Sequence, residues 1–290
     1  MNWYFAISES SIDRPEHEWR DMIRVAVRSA IGSTDLKPHL LYDGGENPFL
    51  DELRGLGVTV IHRRVSFYDA LEAYGANSPG YVNIASGAFL RFEIALIDDG
   101  EFALYTDCDV LFNRRLDFGA ASKPPLFSAS SQSSTNTSED MNSGVMLINV
   151  AGMRAEYDAL VAFTRANLDL GLDQEVLRVF CAGRYTPMDR SLNWKPYWGA
   201  NPDAQIIHFH GPKPGAARRL ASEGLGSTNI EIWKHLYSLS PEGYGEYVEA
   251  WDAVLAGRPR KSYFPYDRID DPHLWARVAG LKASPGGCAP

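Results

Sequence analysis

The chain has 290 residues, 45% hydrophobic and 22% charged, the make-up of a globular domain with an appendage and not of a disordered segment. Its net charge of −9 argues against a nucleic-acid grip or a polybasic membrane patch. Three scattered cysteines, Cys108, Cys181 and Cys288, exclude a disulfide scaffold and fit a reducing compartment.

Residues 3–7 read as a short buried strand. Asp13 stands where it can cap a helix opened by Pro15, along which Trp19, Met22, Ile23, Ala26, Val27 and Ala30 share one face until Gly32 and Ser33 end it. Residues 39–42 form a second strand, Asn47 caps a short helix running to Arg54, and residues 58–61 form a third strand. Strand and helix in alternation predict an α/β fold with a mainly parallel sheet flanked by helices.

A further helix covers residues 84–97, and an apolar strand at residues 102–106 breaks into Asp107-Cys108-Asp109. Residues 128–142 are Ser/Thr-rich with no apolar period and read as an active-site loop or a flexible connection. Residues 144–150 form another buried strand. Tyr157, Leu160, Val161, Thr164 and Leu168 share a helical face, and Asp173-Gln174 opens a helix with Val176, Val179 and Phe180 inward. After Pro214 the texture turns small and polar, and Tyr247, Val248, Trp251, Val254 and Leu255 mark a helix. The expected division is a domain over 1–214 and a mostly helical extension over 215–290 whose tail, from Ser284, is disordered. No apolar run approaches the roughly 18 residues of a membrane-spanning helix. The start MNWYFAISES lacks the basic flank and apolar stretch of a signal peptide, so a cytoplasmic protein is expected.

Asp107 and Asp109 end an apolar strand, so they are held at the carboxyl edge of the sheet, where open α/β folds bind ligands. Two carboxylates this close are costly unless a cation or protons compensate, and all-oxygen ligation suits magnesium or manganese. An exposed acidic turn is the plainer reading of the tripeptide alone. His208-Phe209-His210-Gly211-Pro212-Lys213-Pro214 follows a second strand end at Ile206-Ile207. A histidine here can complete a ligand set, which favours manganese over magnesium, and Lys213 can neutralise a phosphate oxygen. A buried, hydrogen-bonded histidine beside an ordinary turn is the alternative. Arg91, set among apolar residues, is suited to pair a buried aspartate or reach a phosphate. Asn142 and Ser143 are suited to sugar hydroxyls or to ending a loop, and Asp173 is a natural helix cap.

Taken in order, Arg91, Tyr105-Thr106-Asp107-Cys108-Asp109, Asn142-Ser143-Gly144, Asp173-Gln174 and His208 to Pro214 resemble glycosyltransferase family 8, over roughly residues 1–214. The resemblance implies the GT-A fold and transfer of a hexose, with retention, from a nucleoside diphosphate sugar, a UDP-sugar, to a saccharide or glycoconjugate acceptor. It implies manganese, with magnesium second, held by Asp107, Asp109 and His208. It sets Ile7, Ser8, Tyr105, Thr106 and Cys108 beside the nucleotide, Arg91 at the donor phosphate and sugar, Asn142 and Ser143 at the sugar, and Gly211 and Lys213 at the diphosphate. It gives Asp173, Gln174 and Asp107 the catalytic positions around the reacting sugar. The chain departs from the family pattern in having only Pro212 between Gly211 and Lys213, in Gly215 where a tryptophan is usual, and in a first strand ending Ile7-Ser8-Glu9 without an alanine-aspartate pair. His210 therefore rivals His208 as ligand, and the base is less determined than the metal. A phosphatase built on Asp-x-Asp needs the motif near the N-terminus, and a sugar nucleotidyltransferase needs a glycine-rich loop after the first strand, neither of which is present. A catalytically silent nucleotide-sugar or carbohydrate binder stands as the alternative function.

Overall fold

The computed structural model describes residues 1–14, 18–133 and 140–258. It opens with β1 (Asn2–Ser8), along which Trp3, Phe5 and Ile7 enter one hydrophobic layer and Tyr4 the other, as in a strand covered on both faces. A single turn, α1 (Glu9–Ile12), precedes α2 (Trp19–Ser33). Asp13 does not cap α2. It closes α1, and its carboxylate accepts from Arg20 Nε at 2.6 Å; Pro15 lies outside the described residues. Next come β2 (Lys37–Asp43), α3 (Pro48–Gly55) and β3 (Thr59–His62). Asn47 caps α3 as expected, its Oδ1 accepting from the N–H groups of Phe49 and Leu50.

The next stretch holds α4 (Tyr68–Tyr74), α5 (Pro79–Ala88), a 3-10 turn (Phe89–Glu93) and α6 (Ile94–Ile97). Gly80–Ile97, with a mean hydropathy of 1.2, is long and apolar enough to cross a membrane, contrary to the expectation that no run approaches that length. It is 56% buried inside the fold and carries Arg91 and Glu93, both paired with other side chains, which marks it as a core helix.

Then follow β4 (Phe102–Thr106), β5 (Val110–Phe112), β6 (Phe127–Ser131) and β7 (Met141–Asn149). The expected polar loop thus begins as a strand. Ser128, Ser130 and Ser131 are buried in β6, and Ser128 Oγ donates to the Ala121 carbonyl at 2.7 Å, so β pairing and local hydrogen bonds override the polar composition. Residues 134–139 of that stretch lie outside the described residues. Two helices, α7 (Val150–Ala166) and α8 (Asp173–Phe180), come next. Asp173, Val176 and Leu177 form the buried face of α8, whereas Val179 is 50% exposed. At 3.6 residues per turn Val179 lies about 120° round the helix from Asp173, so it is not inward. The described residues end with β8 (Thr186–Pro187), β9 (Ile206–His208), α9 (Pro214–Glu223), α10 (Glu231–Leu239) and α11 (Pro241–Leu255). The tail expected to be disordered lies outside the described residues.

Seven strands form one sheet in the order β3-β2-β1-β4-β7-β6-β8. β3, β2, β1 and β4 run parallel, β7 is antiparallel to β4 and to β6, and β8 is parallel to β6. Helices α5 to α8 cover one face, while α2 and α3 cover the other. A separate antiparallel pair, β5 and β9, sets Val110 opposite His208. Beyond it, α9 and α11 join α2 in a third hydrophobic cluster that includes Met22, Leu111, Phe209, Leu220, Tyr244 and Trp251.

Candidate active site

The site forms where β4 stops. Main-chain pairing with β7 continues one residue beyond the strand, the Asp107 N–H donating to the Gly144 carbonyl at 2.8 Å. The chain then turns through Asp107-Cys108-Asp109 into β5, and the β5–β9 pair returns His208 to the same place. Donor atoms of Asp107, Asp109 and His208 all lie within 4.8 Å of one another. His208 Nε2 stands 3.4 Å from Asp109 Oδ1 and 3.7 Å from Asp107 Oδ2. These spacings suit neighbouring positions round one divalent ion with ligand bonds of about 2.1 Å. His210 lies apart from this group. Its Nδ1 is 3.2 Å from Tyr197 Oη, and burial pushes its imidazole down to about 3, so of the two histidines the geometry selects His208.

Glycine at 144 is what lets the group converge. A Cβ there would stand 2.2 Å from His208 Cε1 and 2.9 Å from Asp107 Oδ2, so any side chain would wedge the imidazole and the carboxylate apart. We expect Gly144→Ala to weaken divalent-cation binding by about 10–100-fold, read by calorimetry with manganese and magnesium, with the circular dichroism spectrum of the fold retained.

The charges around the site are arranged as one pair and one group of three. Asp109 is buried, and Lys213 Nζ donates to its Oδ2 and to the Phe209 carbonyl. Burial alone would raise the Asp109 carboxyl, but Lys213 and His208 outweigh it and hold it well below the usual carboxylate range. Arg91, 6% exposed, links the other two aspartates. Its Nη2 donates to Asp107 Oδ1 at 2.9 Å, its Nη1 sits 2.9 Å from Asp173 Oδ2 and donates to the Ser143 carbonyl at 2.7 Å, and its Nε donates to the Ala88 carbonyl. The guanidinium lies over the Tyr105 ring, 4.2 Å from its centroid, and Tyr105 Oη donates to Asp107 Oδ1. Burial disfavours the charged guanidinium, yet Asp173, Tyr105 and Asp107 together raise its pKa. Asp173 also accepts from Ser143 Oγ at 2.8 Å. Desolvation dominates over Arg91 there and lifts the Asp173 carboxyl to about 6.

These groups floor a cleft of about 550 Å³. Its wall contains Ile7, Ser8, Arg91, Tyr105, Asp107, Cys108, Asp109, Asp173, His208, Gly211 and Lys213, eleven of the residues singled out in the sequence. Thr106, Asn142, Ser143 and Gln174 stand behind that wall. Thr106 Oγ1 accepts from Trp3 Nε1 and donates to the Asp107 carbonyl. Asn142 and Gln174 bond to each other, and Ser143 to Asp173. Gly211, at φ +90°, turns the chain where a Cβ would meet Leu236 at 2.6 Å.

The sequence reading missed two groups. Ile232, Trp233 and Leu236 of α10 supply an apolar side of the cleft, although α10 lies beyond the last motif. Asn193 and Lys195, both fully buried, stand behind His208: Asn193 Oδ1 is 2.9 Å from His208 Nδ1, and Lys195 Nζ donates to the Asn193 carbonyl. No periodicity or spacing in the sequence marks them.

No family model and no curated protein matches the chain, but solved structures do. The glycosyltransferase GlyE of Streptococcus pneumoniae TIGR4 superposes with a TM-score of 0.55 at 17% identity, over 88% of this chain and 63% of its own. The galactosyltransferase LgtC, solved with donor and acceptor sugar analogues, gives 0.51 at 19% identity, over 81% of this chain and all of its own. Mouse xyloside xylosyltransferase 1 gives 0.50 at 15% identity, over 71% of this chain and 96% of its own. The fold is the GT-A glycosyltransferase fold. The present chain spans under two thirds of the pneumococcal protein's length. Within the GT-A frame, the Asp107–Asp109–His208 group lies just past the end of β4, in the cleft the sheet edge leaves open, as ligand sites of open α/β sheets do.

Proposed function

We propose that the protein is a manganese-dependent glycosyltransferase that moves a hexose from a nucleoside diphosphate sugar, a UDP-sugar on the motif pattern, to a saccharide or glycoconjugate acceptor with retention. The observation that carries this reading is the convergence of two carboxylates and an imidazole, within 4.8 Å, in the cleft of a GT-A fold. The donor set of two oxygens and one nitrogen fits manganese better than magnesium, which seldom accepts nitrogen, and the room kept by Gly144 fits a shared ion. Held by Asp107, Asp109 and His208, that ion supplies positive charge to the leaving diphosphate.

The chain's own groups do the rest. Among the described residues, Asp107, Asp109 and Asp173 form ion pairs with two fixed cations, Arg91 and Lys213, so an anionic donor is favoured once a divalent ion joins them. Lys213 and Gly211 are assigned to the diphosphate, and Arg91 keeps Asp107 and Asp173 oriented toward the donor. Ile7, Ser8, Tyr105, Thr106 and Cys108 are assigned to the nucleotide end, Asn142 and Ser143 to the donor sugar. Asp173 steadies positive charge developing on the sugar carbon, and Gln174 is its neutral partner. Gln174, being neutral, is not a covalent nucleophile, so the acceptor is taken to attack from the face the diphosphate leaves. Residues 1–214 are assigned to the transferase domain and 215–290 to an extension whose described part, to residue 258, is mostly helical. Two buried free thiols, Cys108 and Cys181, accord with a cytoplasmic setting.

The role of Asp173 predicts a pH profile. Its folded pKa, about 6, lies above the roughly 3.9 of an unfolded aspartate. Its contribution to stability is therefore present below about pH 4 and lost as pH rises through about 6, while the carboxylate that catalysis needs appears over the same window. Turnover should rise through about pH 6, and Asp173→Asn should lose that limb and about 10²-fold in kcat; an unchanged limb removes Asp173 from the role.

The deciding experiment is a thermal-shift screen of nucleotide sugars with and without manganese, followed by donor hydrolysis without acceptor. A donor that raises Tm only with manganese, and is slowly hydrolysed, supports the enzyme. A manganese-dependent rise with no hydrolysis and no transfer to any acceptor returns the silent binder, which the altered 211–215 segment also suits.

A further inference from the structure

Asn193 stands in a 3-10 turn (Arg190–Asn193), far in sequence from the aspartates, yet it is fully buried against His208. A chain of side-chain amides leads from it to two main-chain donors that have only one possible polarity. The Gly144 N–H donates to Asn142 Oδ1 at 3.2 Å, and the Ser143 N–H donates to Gln174 Oε1 at 3.2 Å. Asn142 must therefore turn its Nδ2 toward Gln174 Oε1, 3.0 Å away. Its Oδ1 is then met by Asn193 Nδ2 at 2.8 Å, which leaves Asn193 Oδ1 facing His208 Nδ1 at 2.9 Å. An acceptor opposite Nδ1 requires the proton on Nδ1. The lone pair of the neutral ring then lies on Nε2, the nitrogen turned toward Asp107 and Asp109.

We infer that Asn193 is a positioning residue that holds His208 in the tautomer able to ligate a cation, through an amide relay anchored on the main chain of Ser143 and Gly144. The inference rests on the metal-dependent reading above. Lys195 stiffens the relay, its Nζ donating to the Asn193 carbonyl at 2.9 Å. The same relay ends on Gln174, whose Nε2 donates to Gln132 Oε1 at 2.7 Å. One hydrogen-bonded unit thus joins His208, in the cleft wall, to Gln174 behind it, next in sequence to Asp173. Partners behind a ligating histidine commonly set its ring orientation in this way.

Two variants separate positioning from packing. Asn193→Ala removes the acceptor, whereas Asn193→Asp keeps an acceptor opposite Nδ1 while it loses the donor to Asn142 and adds a carboxylate charge. With unchanged far-UV circular dichroism, Asn193→Ala should bind manganese about 10–100-fold more weakly than the wild type, and Asn193→Asp within about threefold of it. Long-range 1H–15N NMR of histidine-labelled wild type above pH 8, free of cations, should show His208 protonated on Nδ1 alone, with both tautomers in Asn193→Ala. Equal weakening in both variants, no weakening in Asn193→Ala, or a wild-type ring protonated on Nε2 overturns the inference. A wild type that binds no manganese overturns the metal-dependent reading instead, and the tautomer spectrum still decides the part played by Asn193.

Discussion

Asp109→Ala should lower the manganese-dependent release of nucleoside diphosphate from the donor by about 10³-fold or to background. Asp109 is buried and does two things at once: Oδ1 faces His208 Nε2 at 3.4 Å, and Oδ2 holds Lys213. Removing the carboxylate takes away one side of the cation site and releases the lysine assigned to the diphosphate. Both losses fall on charge that develops as the donor bond breaks, so kcat should fall with kcat/KM. Asp109→Asn keeps the size and an acceptor for Lys213, and should recover the melting temperature but little of the rate. Coupled assay of diphosphate release, with and without a chelator, reads the effect. Wild-type activity that persists unchanged in chelator removes the metal from the account.

The parts of this site that were legible in the sequence are those whose signal is local. The apolar run at residues 3–7 and the cap at Asn47 depend on neighbours a few residues away, and both appear as expected. Asp107 and Asp109 stood out because an apolar strand runs straight into them, and Arg91 because a charge among Phe89, Leu90 and Phe92 needs a buried partner. It has two. The choice between His208 and His210 was not legible, since it depends on which residue pairs with Val110 across β5 and β9. Asn193 was invisible for the same reason: its partners, His208 and Asn142, come from β9 and β7. The polar stretch at 128–142 misled because serine composition argues for a loop, while pairing with β7 and buried hydrogen-bond acceptors makes its first residues a strand.

Arg91→Met should cost about 3–5 kcal/mol of folding stability, the range for a buried ion pair that loses one partner. The guanidinium is the only group hydrogen-bonded or ion-paired here to both Asp107 and Asp173. Asp107 keeps some water, with 31% of its side chain exposed, but Asp173 is buried. Without Arg91, Asp173 is left with Ser143 Oγ as its partner and must take up a proton or remain an uncompensated buried charge. The double variant Arg91→Met/Asp173→Asn removes that charge and should recover part of the loss, so the two substitutions should be non-additive by about 1–3 kcal/mol. Arg91→Lys should not rescue it, because one ammonium cannot reach both carboxylates and the carbonyls of Ala88 and Ser143 that the planar fork spans. Urea midpoints of Arg91→Met, Asp173→Asn, the double variant and the wild type measure the cycle. A single variant within about 1 kcal/mol of wild type, or strict additivity, would mean that the guanidinium serves the donor rather than the fold. The expected coupling instead means that the pair of aspartates at the reacting centre is held ready before any donor arrives, at a cost in stability that the arginine offsets.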